Sequence, residues 1–355
     1  MIRLSKFAIY SWCVLLVNLF VILWGVYVRA TGSGAGCGSH WPLCNGAVIP
    51  ISPQIETIIE FTHRLSSGLS LIMVVIMFIW AYRVFPRKHI IRLGATLSLI
   101  FILTEALVGA GLVLFEWVAH DASTGRVISM AVHLVNTFLL LAALTLTGWW
   151  ATTGESISLK QNKLLLWVFS FAFLGVIVLG VSGAITALGD TLFPARSLVE
   201  GIEQDFSPTA HFVLRLRVWH PILAIITGAY LILLGGLLAM YANDEWRNIH
   251  QLDELGNGYL ERHYRFVKYF SILLICAVII QLMAGLVNLL LLAPVWMQLV
   301  HLFLADFVWI SLVLLAANAF SKASISETIS ETNKSTGSSS MSNLQVGANL
   351  ARYVD

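Results

Sequence analysis

Eight long apolar runs, separated by short polar stretches, constrain this chain more than any other feature. They fall at roughly 8–29, 59–84, 90–115, 127–150, 163–188, 212–241, 266–292 and 297–319. Each is long enough to cross a hydrocarbon core of about 30 Å. Lipid offers the backbone no hydrogen bonds, so each run must satisfy its own as a helix. The expected fold class is an all-α membrane protein with eight transmembrane helices. Composition agrees, because only 11% of the 355 residues are charged, where soluble chains carry about a quarter. The first run lacks a small-residue cleavage site, which predicts a retained first helix rather than a signal peptide. From about Ser321 the chain is rich in Ser, Thr and Asn. It cannot bury a core there, so 321–355 is expected to be a disordered cytoplasmic tail.

Orientation follows from the cations in short loops. One side holds Arg3, Lys6, Arg83, Arg87, Lys88, Arg92, Lys160, Lys163, Arg247, Arg262, Arg265 and Lys268, with Lys322, Lys334 and Arg352 in the tail. The other holds only Arg29, Arg64, Arg126, Arg196, Arg215 and Arg217. The richer side is cytoplasmic, and an even number of spans puts both termini there. The expected location is the cell membrane. The net charge of +2 says little by itself; no nucleic-acid partner is expected. Small residues along the spans are compatible with self-association.

The two halves resemble each other. Span three carries Glu105-Ala-Leu-Val-Gly109 and span seven Gln281-Leu-Met-Ala-Gly285. Span four opens on Val132-His133-Leu134 and span eight on Val300-His301-Leu302. Four helices repeated in one orientation give two pseudo-symmetric four-helix bundles, a parallel internal repeat about an axis normal to the membrane. The units are expected at 1–155 and 156–320.

Histidines carry the chemistry. His40, His89, His120, His211, His250 and His263 fall in loops or at span ends, where solvation is the plain reading. His63, His133, His220 and His301 lie inside spans, where an ionisable group is costly and points to function. All four sit a few residues in from the outer end, one in each of spans two, four, six and eight. Two imidazoles facing across a four-helix bundle suit a six-coordinate haem iron. Zinc would want four converging ligands. The Glu60-x-x-His63 pattern also suits a di-iron bundle, but that needs a second copy which the other three histidines lack. Arg64, Arg126, Arg215 and Arg217 lie on the outer side as candidate partners for haem propionates, or as ordinary interfacial arginines.

Glu60 lies on the face of His63, and could relay protons or simply cap its helix. Arg217 stands at the matching place before His220, so the two sites are expected to differ. Glu105 and Asp306 are further acids within spans. Cys13 and Cys276 lie in spans and read as small buried hydrophobes. Cys37 and Cys44 share the Gly-rich outer loop 31–46. Outside the cytoplasm they can form a disulfide, as a structural staple or an exchanging dithiol.

The loop Cys37-Gly-Ser-His-Trp-Pro-Leu-Cys44-Asn-Gly, then Glu60-Phe-Thr-His63-Arg64, then the three further span histidines in order, resemble the haem A synthase family. The resemblance covers nearly all of the chain before the tail. It implies an oxidoreductase that converts the C8 methyl group of haem O to a formyl group by successive hydroxylation through a geminal diol, giving haem A for cytochrome c oxidase. It further implies a resident haem b on His220 and His301. Substrate or product haem would sit on His63 and His133 with Glu60 assisting, and haem O would be handed over by haem O synthase. The electron acceptor is not implied. Some members carry a second cysteine pair between spans five and six. Here the stretch from Gly189 to His211 has none, and its Asp190, Glu200, Glu203 and Asp205 read as a partner surface or, more plainly, a solvated face. Competing readings are a bis-histidine b-type cytochrome for transmembrane electron transfer and a haem carrier.

Overall fold

A computed structural model describes residues 4–51, 53–155, 157, 163–252 and 258–321; the side chains of 248–252 and 258–260 are outside it. The expected tail, apart from Ser321, lies outside the described residues. The helices are α1 (Lys6–Ala30), α2 (Ile55–Val84), α3 (Ile90–Leu114), α4 (Thr124–Thr153) and α5 (Lys163–Leu192). They continue with α6 (Leu198–Phe206), α7 (Phe212–Arg217), α8 (Trp219–Leu252), α9 (Gly258–Leu290) and α10 (Val295–Ala319). Among the described residues, eight stretches are long and apolar enough to cross a membrane, with α7 and most of α8 forming one of them. The chain is a multi-pass membrane protein. Helix ends overrun the apolar runs because polar caps extend them. Ser5 accepts from Ala8 N and Ser123 from Arg126 N, which satisfies amides that the helix leaves open. His89 and His211 do the same for Ile91 and Val213, so these two histidines are caps rather than merely solvated groups.

Packing partners define two rings. In the first, α1 packs on α2 and α4, and α3 on α2 and α4. In the second, α5 packs on α8 and α10, and α9 on α8 and α10. The rings meet where α4 packs on α5 and α10, and α1 on α10. At this seam the Phe138 and Trp309 rings stack 4.6 Å apart. Trp309 Nε1 also donates to the Phe138 carbonyl at 2.7 Å. Helix α10 is the most enclosed, with more than half of its apolar window buried against about a third or less for most others.

Two expectations change. Cys13 and Cys276 face outward rather than inward. The surroundings of a bundle in lipid are as apolar as its interior, so a thiol gains little by burial. The stretch 189–211 is not a plain acidic loop. It holds the end of α5 and the short amphipathic α6, capped by Ser197 and exposing Val199, Ile202 and Phe206. Asp190 and Asp205 both bind Arg217, at 2.8 and 2.7 Å.

Candidate functional site

The four span histidines enter from the starts of helices that run in one direction. His63 lies eight residues into α2, His133 nine into α4 and His301 six into α10, while His220 follows α7 directly at the start of α8. At about 1.5 Å per residue, they share a similar depth. Within each ring, the two histidine-bearing helices stand across from each other, separated by the remaining two. His63 and His133 therefore serve the first ring, and His220 and His301 the second. The His220 and His301 rings have centroids 6.4 Å apart and lie at 89°.

Glycines give three of these imidazoles room. A Cβ on Gly25 would stand 3.0 Å from His63 Cε1, on Gly183 2.9 Å from His220 Cε1, and on Gly285 3.1 Å from His301 Cε1. The ring nitrogens are only partly satisfied within the chain. His63 Nδ1 and His301 Nδ1 are buried without a hydrogen-bond partner. His220 Nδ1 meets Ser182 Oγ at 3.0 Å, and Gln281 Nε2 lies 3.4 Å from His301 Nε2. Glu105 Oε1 stands 3.1 Å from His133 Nδ1. Buried polar atoms are normally paired, and orphans call for an explanation. Imidazoles at matched depth, with unspent nitrogens and no Cβ against them, fit a metal-bearing planar group. Among the described residues, no three His, Cys, Asp or Glu gather as a metal cluster.

The outer loop is fastened over the start of α2. Cys37 and Cys44 are joined by a disulfide, with their Cα atoms 4.4 Å apart. Both are buried. Glu60 Oε2 accepts from Cys37 N at 2.8 Å and Oε1 from Arg64 Nη2 at 2.5 Å. Arg64 Nη1 donates to the carbonyls of His40 and Leu43, both at 2.7 Å. Thr57 Oγ1 reaches the Gly36 carbonyl, and a Cβ at Gly36 would collide with the backbone of Glu56 and Thr57. Glu60 is thus bonded to the loop and not to His63.

The other arginines are similarly occupied. Arg126 Nη1 donates to the carbonyls of Ala119 and Asp121. Arg217 is held by Asp190 and Asp205. Arg215 is exposed and donates from Nη2 to Pro208 O. Sequence reasoning counted Arg29 only as an outer-side cation. Its guanidinium binds Ala187 O, Thr191 Oγ1 and Gln298 Oε1, tying α1 to α5 and α10. An arginine closing an apolar run was the available signal, and loop counting absorbed it. Asp306 is buried with neither carboxyl oxygen bonded.

A family model described as cytochrome oxidase assembly protein, COX15-CtaA, matches residues 8–313. A Thermus thermophilus protein named Protoheme IX farnesyltransferase is 47% identical over 319 residues, which are 90% of this chain and 49% of that protein. A Heme A synthase of an Exiguobacterium species is 36% identical over 141 residues, 38% of this chain and 46% of its own. One from Staphylococcus haemolyticus is 31% identical over 204 residues, 55% of this chain and 66% of its own. The chain thus spans about half the length of the Thermus relative it matches.

Proposed function

Since the chain belongs to the COX15-CtaA family of cytochrome oxidase assembly proteins, we propose that it is a haem A synthase, oxidising the C8 methyl group of haem O to the formyl group of haem A. The observation that carries this reading is the set of four span histidines, two per ring, in a chain that matches Heme A synthases. The rings correspond to functional units at 1–155 and 156–320, related as a pseudo-symmetric repeat. His63 and His133 hold substrate and product haem, and His220 and His301 hold haem b. The 6.4 Å between the last two rings is about what two metal–nitrogen bonds of ~2 Å and half an imidazole on either side occupy. Bound haem would supply the redox chemistry; the chain supplies ligands, orientation and a dry enclosure.

Glu60 is given the acid–base part. Arg64 and the Cys37 amide fix its carboxylate one turn from His63, and a fixed carboxylate can take or return a proton without reorganising. The disulfide loop serves as its support. Of the four arginines proposed for propionates, Arg215 is the exposed residue. The termini lie in the cytoplasm, the haem sites lie toward the outer face of the cell membrane, and haem O comes from a neighbouring haem O synthase.

The name of the Thermus relative suggests prenyl transfer as a second reading. The match covers 49% of that relative, and we assign its name to the half lying outside the match.

Pigment extraction from the purified full chain tests the proposal. The expected result is haem b together with haem O, haem A or a hydroxylated intermediate. Haem b alone at two per chain, with haem O supplied, would leave an electron-transferring cytochrome. Glu60→Ala should retain the haem b spectrum and stop haem A formation.

A further inference from the structure

The two rings present different surroundings to their histidines, and the difference centres on Glu105. This carboxylate lies within a membrane-crossing helix, α3, where a charge is costly unless it has a task. Its neighbours on α4 are donors. Asn136 Nδ2 bonds Oε2 at 2.5 Å, Thr137 Oγ1 bonds Oε1, and His133 Nδ1 stands 3.1 Å from Oε1. Asn136 is itself oriented, because Thr104 Oγ1 donates to its Oδ1 at 2.6 Å and its Nδ2 also reaches Phe101 O. The His133 N–H is off line for a full hydrogen bond.

The second ring replaces this set with neutral or apolar groups. Aligning the repeats on Gly109 and Gly285 puts Gln281 opposite Glu105 and Ile280 opposite Thr104. Aligning them on the span histidines puts Leu304 and Ala305 opposite Asn136 and Thr137. His301 rests against Gly285, and its Nδ1 is unpartnered. Gly109 has nothing within 4 Å, so His133 is not drawn to the matching glycine but sits beside Glu105. His220 finds a neutral hydroxyl on Ser182. A metal-ligating histidine usually passes its second N–H to an acceptor, which fixes its tautomer and raises its basicity. A carboxylate does this more strongly than a hydroxyl or an amide.

We propose that Glu105 is a positioning residue for His133, turning its Nε2 toward the iron of the first ring and making that iron the more electron-rich of the two. Asn136, Thr137 and Thr104 hold the carboxylate in place. The proposal rests on the reading that His133 ligates haem. It adds an electronic asymmetry between the sites that is separate from Glu60 and the disulfide loop.

The test is a redox titration of the purified full chain, loaded with haem, followed optically at each site. Glu105→Gln keeps the shape and turns the first-ring partner into that of the second. Ferric binding should weaken at least tenfold relative to ferrous binding at the first site. That raises its midpoint by about 60 mV, at 59 mV per tenfold for one electron. The second-site midpoint should not move. Thr137→Ala should shift the first site in the same direction by less, and serves if Glu105→Gln does not fold. Glu105→Asp should restore part of the wild-type value. An unmoved first-site midpoint in both Glu105→Gln and Thr137→Ala, with haem bound, overturns the proposal. So does a lowered melting temperature without a shift in potential, because that is a purely structural role. Absence of haem from the first ring of the wild-type chain would instead overturn the reading of the site on which the proposal rests.

Discussion

The glycine behind His220 allows a quantitative test of the second ring. In Gly183→Ala the new methyl would stand 2.9 Å from His220 Cε1 and 3.4 Å from Nδ1. Carbon atoms settle at about 3.5–4.0 Å, so the imidazole must retreat by roughly 0.6 Å. Ser182, on the residue before, holds Nδ1 at 3.0 Å and resists that movement. Ligand geometry tolerates errors of about 0.5 Å, and overpacking costs about 1–3 kcal/mol. At 1.4 kcal/mol per tenfold, haem b affinity in the second ring should fall by about 5- to 150-fold. The assay titrates haem-depleted protein with haem b and follows the absorbance of the low-spin product. Gly236→Ala is the control, because nothing lies within 4 Å of its added carbon. Gly25→Ala should weaken the first ring and spare the second. A Gly183→Ala titration that overlays the wild type would refute the idea that this glycine seats a haem ligand.

Further outcomes follow from other contacts. Arg217→Ala should lower the melting temperature in detergent by removing the shared partner of Asp190 and Asp205. Arg217→Lys should recover little of it, since one ammonium cannot reproduce the two-carboxylate fork. Trp309→Ala should destabilise by about 3–5 kcal/mol, whereas Trp309→Phe, which keeps an aromatic ring but loses the bond to the Phe138 carbonyl and part of the buried indole, should cost less than the alanine change but more than the roughly 0.5–1.5 kcal/mol of the bond alone. Both are read from thermal melts. The Cys37–Cys44 disulfide should survive reductant until the protein is unfolded, because both cysteines are buried. Rapid alkylation of the two after mild native reduction would favour an exchanging dithiol. Cys37→Ser should cost about 2–3 kcal/mol by the loop-closure argument and speed proteolysis within 31–54.

The eight spans were legible because a lipid solvent writes its demand into every stretch of about twenty residues. The four histidines were legible because their depth is a matter of counting along a helix. What sequence could not supply was rotation about helix axes. Whether Glu105 meets His133, or Glu60 turns to Cys37 rather than toward its own neighbour His63, depends on which face each helix presents. Arg64, Arg126 and Arg217 read either as propionate partners or as interfacial cations, and the backbone carbonyls and aspartates that bond them could not be read from sequence. Helix α6 escaped because its nine residues are too few to span and its acids mask the apolar stripe.

Helix α10 bears on how the molecule is made. The ribosome delivers it after the other seven described spans, yet it packs on α1, α4, α5 and α9 and carries both Trp309 and the Gln298 that receives Arg29. Until it emerges, the earlier helices wait in the bilayer with a slot between them and with Arg29 short of one acceptor. A nascent chain stopped before Val295 therefore lacks the piece that joins its two rings, as well as one member of a histidine pair. What such a chain presents is an open slot flanked by an under-bonded arginine, and the slot closes only when α10 enters it.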